Sequence, residues 1–318
     1  MKALLTGITG NIGYEVARVF LKEGHTVIPV IRPKEAENPL KKLKNLDADF
    51  AKINEYVYAD LEQEMPKYSL SGVDCIMHCA GVVHFKKAGN SNEQMMKNLL
   101  AFAKDSSIPI YYVSTAYLSK SQNEPLFNEY EKDKKKAEDM LIASYSTHTI
   151  FRPSIITGNS KTGKIIHFSG YYLSVPEFVN ALKKTDKIRF PSIQNPVNII
   201  PVDWVARSIY NAVKDKKKGT LYITNPNPPT FNALLKETLK FFSLEKKIEL
   251  VDLTFEGYKK LDLSLAEKEL LNFYVPFIPY LTTSYNFPPS LCGHSLSPDY
   301  IEKILKYAAK FNNERMEK

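Results

Sequence analysis

The chain has 318 residues, 44% of them hydrophobic and 25% charged, with a formal net charge of +8. That apolar content excludes a mainly disordered chain, and 13 Gly with 19 Pro exclude a collagen-like one. The length fits one large domain or two average ones. The first half alternates apolar runs with amphipathic segments, the pattern of a doubly wound parallel sheet. Residues 2–6 predict a strand running into a Gly-rich turn, and residues 11–23 a helix. Ile12, Val16, Val19 and Phe20 stand at helical spacing there, and Gly24 closes the helix. Further strands are predicted at 25–31, 56–59, 74–78, 108–114 and 148–153, with helices at 93–105 and 128–144. After Thr157-Gly158 the pattern weakens: 161–195 reads as irregular with a helix at 176–184, 201–213 as a helix and 221–224 as a strand. Asn225-Pro226-Asn227-Pro228-Pro229 then breaks regular structure, and helices are expected at 231–243, 254–260, 264–273 and 298–312.

No run reaches the roughly 18–20 apolar residues of a membrane helix; the best candidate, Tyr274 to Leu281, is interrupted by Pro276 and Pro279. The apolar run after Met1 is too short for a signal peptide, so the expected location is the cytoplasm. Cys75, Cys79 and Cys292 form neither a disulfide framework nor a zinc-ligand pattern and read as free thiols, with no metal site expected. Lysines cluster at 41–44, 132–136, 214–218 and 246–247. A nucleic-acid binder needs a groove-entering or base-stacking module, and none is recognisable. The clusters read as solvated faces, or as attraction for anionic groups such as a phosphorylated cofactor, coenzyme A or an acidic carrier protein.

Thr6-Gly7-Ile8-Thr9-Gly10-Asn11-Ile12-Gly13 fits TGxxGxxG between a strand and a helix. Gly7 suits a tight turn, Gly10 a close approach to a pyrophosphate, and Gly13 helix-on-strand packing. Thr9, Asn11 and Ile12 complete the turn at a helix N-terminus whose free N–H groups favour phosphate. An NAD site places Asp or Glu at the tip of the second strand; this chain has Ile31-Arg32-Pro33-Lys34, and Arg32 suits the 2′-phosphate of NADP. Asp60-Leu61 ends the third strand, where Asp60 can accept from the adenine amino group or cap a helix. His78-Cys79-Ala80-Gly81 ends the fourth; His78 reads as a core histidine, while Cys79, Ala80 and Gly81 are small enough for a cofactor to cross the sheet edge.

Tyr130 and Lys134 are four apart and share one helix face. An ammonium beside a phenol is expected to lower the Tyr pKa from about 10 toward neutrality, giving a proton donor suited to a carbonyl. Val113-Ser114-Thr115-Ala116-Tyr117 places hydroxyls at the tip of the fifth strand, on the same carboxyl edge.

In order along residues 1 to about 228, these motifs resemble the extended short-chain dehydrogenase/reductase superfamily. Arg152-Pro153-Ser154 and Pro201-Val202-Asp203-Trp204-Val205-Ala206 extend the match. The resemblance implies a Thr115, Tyr130 and Lys134 triad, with Lys134 also on the cofactor ribose and Pro153, Ser154, Ile155 and Ile156 lining the nicotinamide. Tyr112 to Tyr117, Asn128-Glu129-Tyr130-Glu131 with Ala137-Glu138, Phe151 to Gly158 with Thr162-Gly163, and Asn225 to Thr230 are most similar to the thioester reductase and fatty acyl-CoA reductase branch. Three departures bear on the substrate: Met95-Met96 stand where Gly-Thr is usual, Asp133 where Ser is usual before the Lys, and the loop from His84 to Asn92 is short.

The expected fold is therefore α/β: a Rossmann-type doubly wound, mostly parallel seven-stranded sheet with a small helical C-terminal substrate cap. Residues 1–160 plus 196–228 are assigned to the dinucleotide-binding domain and 161–195 plus 229–318 to the cap. The expected function is NADPH-dependent reduction of a carbonyl in a small-molecule substrate: an acyl thioester on coenzyme A or a carrier protein, an aldehyde or a ketone. NADP is expected rather than NAD, with neither a nucleic acid nor a membrane span involved; dimers are frequent in the resembled superfamily. The alternatives are a nucleotide-sugar epimerase or dehydratase that retains NAD, and a non-catalytic dinucleotide-sensing regulator.

Overall fold

The structure, a computed structural model, describes residues 1–33, 39–63, 65, 68–83, 89–119 and 125–316. Lys34 and residues 84–88 of the loop that follows the fourth strand lie outside them. In chain order the elements are β1 (Lys2–Thr6), α1 (Asn11–Lys22), β2 (Thr26–Ile31), α2 (Pro39–Leu46), β3 (Val57–Tyr58), β4 (Cys75–His78), α3 (Ser91–Ala103) and β5 (Ile110–Val113). They continue with α4 (Glu129–Ser144), β6 (His148–Pro153), β7 (Ile155–Thr157), α5 (Tyr171–Lys183), β8 (Ile188–Pro191), β9 (Ile199–Pro201), α6 (Val202–Lys214) and β10 (Gly219–Ile223). The last are α7 (Phe231–Phe241), β11 (Ile248–Val251), α8 (Phe255–Tyr258), α9 (Leu265–Tyr274), α10 (Ile278–Thr282) and α11 (Tyr300–Met316).

Two compact units result. The first comprises Met1–Ser154, Val202–Thr224 and Phe287–Cys292, and the second Ile155–Pro201, Asn225–Asn286 and Gly293–Lys318. The chain therefore leaves the first unit after residue 154 rather than 160 and returns at 202 rather than 196. The physical reason is that β7 and β9 pair with each other, Ile155 to Ile199 through Thr157 to Pro201, and not with the large sheet.

The first unit holds a seven-stranded sheet in the order β10-β6-β5-β4-β1-β2-β3. Every neighbouring pair is parallel, so all seven carboxyl ends open on one edge. The order turns back at β1, whose neighbours are β2 and β4; ligands of such sheets bind outside the carboxyl ends at that switch point. Both faces are covered, so the strands read as continuous apolar runs rather than alternating ones: Ala3, Leu4 and Leu5 are buried, as are Ile76, Met77, Ile110 and Phe151. Met95 and Met96 are core residues packed with Leu4, Ile76, Leu99 and Ile110.

The second unit is mostly helical and adds two two-stranded parallel sheets, β7·β9 and β8·β11. Its core is aromatic: Phe190 is fully buried and lies within 6.1 Å, centroid to centroid, of Phe178, Phe231, Phe255, Tyr258 and Tyr274. Helix α5 starts at Tyr171, five residues before the expected start, and carries Pro176 inside it. Cys75, Cys79 and Cys292 form no disulfide among the described residues. No helix among the described residues is long and apolar enough to cross a membrane.

Candidate active site

The turn from β1 into α1 is built by close backbone packing. Gly7 has φ +76°, and a Cβ there would lie 2.5 Å from Ala80 N; a Cβ on Gly13 would lie 2.1 Å from Gly7 O. Both positions therefore exclude a side chain. At Gly10 a Cβ would meet only Gly7 O, at 3.4 Å. Gly10 N donates to Gly7 O at 2.9 Å. Gly10 is the N-cap of α1 and has no side chain to cap it, and no acidic residue occupies the first turn of the helix. The N-terminus of a helix, with its backbone N–H groups and the positive end of its dipole, favours an anion such as phosphate.

At the tips of β2 and β3, Arg32 is half-exposed and spans two carboxylates: its Nε lies 3.5 Å from Asp60 Oδ1 and an Nη donates to Glu62 Oε1 at 3.1 Å. Asp60 Oδ1 also accepts from Glu62 N at 3.1 Å, capping the turn that follows β3. Leu61 packs into the core beside Val57 and Leu99.

β4 ends at His78, which is buried and hydrogen-bonded to Thr6 Oγ1 at 2.8 Å, its ring stacked on Tyr112 at 5.3 Å. Burial, and secondarily Lys134, push its pKa down to about 3, so it is a neutral core residue. Cys79 N donates to Thr6 O at 3.2 Å and Ala80 N to Thr6 Oγ1 at 3.2 Å, which ties the exit of β4 to the tip of β1.

Asn128 caps α4 by accepting from Glu131 N at 3.0 Å, which fixes where Tyr130 and Lys134 emerge. Tyr130 hydrogen-bonds with the Thr115 side chain from the tip of β5. Thr115 Oγ1 also accepts from Tyr117 N at 3.4 Å. Lys134, only 3% exposed, donates to Val113 O at 3.2 Å, and its Nζ lies 4.9 Å from the centre of the Tyr112 ring. A Cβ on Gly81 would lie 2.8 Å from Lys134 Nζ, so the β4 exit lies against the ammonium.

The expected fall of the Tyr130 pKa toward neutrality is not what this environment produces. Burial raises the phenol to about 12, Glu131 and Glu138 push the same way, and the Thr115 hydrogen bond opposes them. Desolvation of the phenol is the largest of these effects. Burial pulls the Lys134 pKa down to about 8, against the opposing influence of Glu138, Asp133 and Cys79.

Beneath these groups lies a layer that sequence reasoning did not assemble. Arg152 pairs with both oxygens of buried Glu138 and donates to Tyr222 OH at 2.6 Å. The Ala-Glu and Arg-Pro motifs are thus the two halves of one buried ion pair. At the strand tips, Ser114 Oγ and Ser154 Oγ are buried and have no hydrogen-bond partner among the described residues, an arrangement suited to a bound group that supplies one. The structure thus brings Gly7–Gly13, Cys79–Gly81, Thr115, Tyr130, Lys134, Pro153 and Ser154 to the carboxyl edge of one sheet. Ile155 and Ile156 belong to the second unit, packed against the cluster of Tyr172, Ile199 and Tyr300.

A Gly-rich turn at the switch point of the sheet, with a Tyr/Lys pair on the helix after β5, fits a nicotinamide-dinucleotide oxidoreductase of the short-chain dehydrogenase/reductase class. The family model described as male sterility protein, an NAD-binding family, matches residues 5–209, and the chain belongs to that family, the male sterility-type branch of the extended superfamily. No curated protein sequence matches the chain significantly. Among solved structures, the terminal R domain of the myxalamid PKS-NRPS pathway is similar, with a TM-score of 0.74 and 18% identity over 98% of this chain and 91% of that one. A thiolation-reductase di-domain from an archaeal non-ribosomal peptide synthetase gives 0.72, also at 18% identity and with the same coverage of 98% and 91%. The PhqB reductase domain from Penicillium fellutanum gives 0.70 at 16% identity, covering 99% of this chain and 93% of that one.

Proposed function

We propose that the protein is an NADPH-dependent reductase that acts on the carbonyl of a small acyl thioester, aldehyde or ketone. One observation carries this reading: the Tyr130 hydroxyl is hydrogen-bonded to Thr115, and the buried Lys134 donates to Val113 O, two residues before Thr115, at the carboxyl edge of a parallel sheet. Residues Gly7–Gly13 and the N-terminus of α1 hold the pyrophosphate, Asp60 the adenine, Lys134 the ribose, and Pro153 and Ser154 the nicotinamide edge. Arg32 leaves Glu62 to pair with the 2′-phosphate. NADPH, when bound, supplies the hydride. Thr115 and Tyr130 hold the carbonyl oxygen of the substrate, and Tyr130 donates its proton to that oxygen as negative charge develops there. A phenol raised to about 12 stays protonated throughout the neutral range and so remains available as the donor. The second unit selects the substrate. Similarity to reductase domains, one joined to a thiolation domain, favours a carrier- or coenzyme A-linked thioester, released as an aldehyde and a free thiol.

The test is NADPH oxidation by the purified protein with acyl-coenzyme A thioesters, aldehydes and nucleotide sugars. Consumption with a thioester or a simple carbonyl is expected. Conversion of a nucleotide sugar with tightly retained NAD and no net NADPH consumption would instead show an epimerase or dehydratase.

A further inference from the structure

Asp133 stands where the resembled branch carries Ser, and its carboxylate is only 1% exposed. It leans out of α4 onto the N-terminus of α3, where the side chain of the N-cap residue Asn90 makes no capping bond. Oδ2 accepts from Asn92 N at 2.9 Å and from Asn92 Nδ2 at 2.8 Å, and Oδ1 accepts from Glu93 N at 2.9 Å. A carboxylate offers acceptors only, so it fixes which way the Asn92 amide points. With Nδ2 drawn toward α4, Asn92 Oδ1 accepts from Val82 N at 3.0 Å, and Nδ2 also donates to Val82 O at 3.1 Å. Asn92 thus pairs with both backbone groups of Val82, as a neighbouring strand would. The segment it grips is the exit of β4. A Cβ on Gly81 would lie 3.0 Å from Asn92 Oδ1 and 2.8 Å from Lys134 Nζ, so Gly81 lies against both.

An Asn at the head of α3 could cap its own helix, as Ser, Asp and Asn commonly do. Here the cap comes from the residue directly before Lys134. The helix that bears Tyr130 and Lys134, the N-terminus of α3 and the Gly81–Val82 backbone are therefore joined through one carboxylate and one amide. A Ser hydroxyl can donate or accept and is shorter, so it would impose no such orientation.

We propose that Asp133 is a positioning residue: acting through Asn92, it fixes the Gly81–Val82 backbone against the Lys134 ammonium, and so shapes the part of the site that takes the nicotinamide ribose. This rests on the dinucleotide reading above. The effect falls chiefly on that half of the cofactor, because the hydrogen bonds of Asp133 and Asn92 run to Val82 and α3, whereas the Gly7–Gly13 turn meets the β4 exit earlier, at Cys79 and Ala80.

The test measures binding of NADPH and, separately, of adenosine 2′,5′-bisphosphate, to the wild type, Asp133→Asn and Asn92→Ala. Asp133→Asn keeps the volume but turns an amide donor toward N–H groups. The expected result is NADPH affinity reduced about tenfold or more, with the bisphosphate within about twofold of wild type, as loss of a buried charged acceptor predicts. Should Asp133→Asn fail to fold, Asn92→Ala is read the same way. Unchanged NADPH affinity in a folded variant, or equal losses for both ligands, would overturn the positioning role while leaving the dinucleotide reading intact. A wild type that binds neither ligand would instead overturn that reading.

Discussion

At the scale of single residues, burial governs the chemistry. Tyr130, Lys134 and His78 would titrate near their ordinary values in water, and each is shifted first by desolvation. His78 gives a stability consequence with a definite sign. Its pKa is about 3 in the folded protein against 6.5 unfolded, so the unfolded chain binds the extra proton as pH falls below 6.5. The stabilisation is complete above that value and is lost progressively toward pH 3. Between pH 7 and pH 5 the loss attributable to this residue is about 2 kcal/mol. Urea unfolding at the two pH values should show it in the wild type and not in His78→Phe; equal pH slopes would refute the assignment. The roles of single residues were only partly legible in sequence. Tyr130, Lys134 and Thr115 stood out through the order of their motifs rather than through spacing alone, and the structure brings them to one sheet edge. Asp133 was visible only as a departure, and Glu138 and Arg152 as separate motifs. What joins them is contact between α4, α3 and β6, which no local pattern encodes.

At the scale of elements, the first turn of α1 is the most constrained. Gly13→Ala would place a methyl 2.1 Å from Gly7 O, where backbone must move to admit it. Overpacking of this kind costs about 1–3 kcal/mol, and the displaced element is the turn proposed to receive the pyrophosphate. The variant should therefore melt lower than wild type and lose NADPH binding; melting and affinity equal to wild type would show that the turn tolerates the methyl. Much of the first unit was readable because β1, β4 and β5 are apolar runs bounded by Gly7, Asp74 and Ser114 and α1 has a 3.6-residue period; α2 was not assigned. β7, β8, β9 and β11 have three or four residues each, too few to show a period, and their partners lie 44 or 60 positions away. α5 was misplaced because Pro176 suggested a helix start, whereas Tyr171, Tyr172 and Val175 extend the buried face by a turn before it.

On the scale of the whole molecule, the first unit follows the order of sequence motifs and the second does not. The sheet order reverses at β1, so a turn near residue 10, a loop near 80, a hydroxyl at 115 and a helix beginning at 129 meet at one edge, and chemistry spread over more than a hundred residues is concentrated there. The aromatic core around Phe190 draws on α5, β8, α7, α8 and α9; the last three were expected as helices, and only the stretch that holds α5 and β8 read as irregular. The central claim is that this edge performs proton transfer from Tyr130 to a substrate oxygen. The most direct measurement is the rate of carbonyl-dependent NADPH oxidation by Tyr130→Phe beside its NADPH affinity. Loss of the proton donor predicts a rate lower by about 10²–10⁴-fold with NADPH affinity unchanged; a variant that turns over at the wild-type rate would contradict the account.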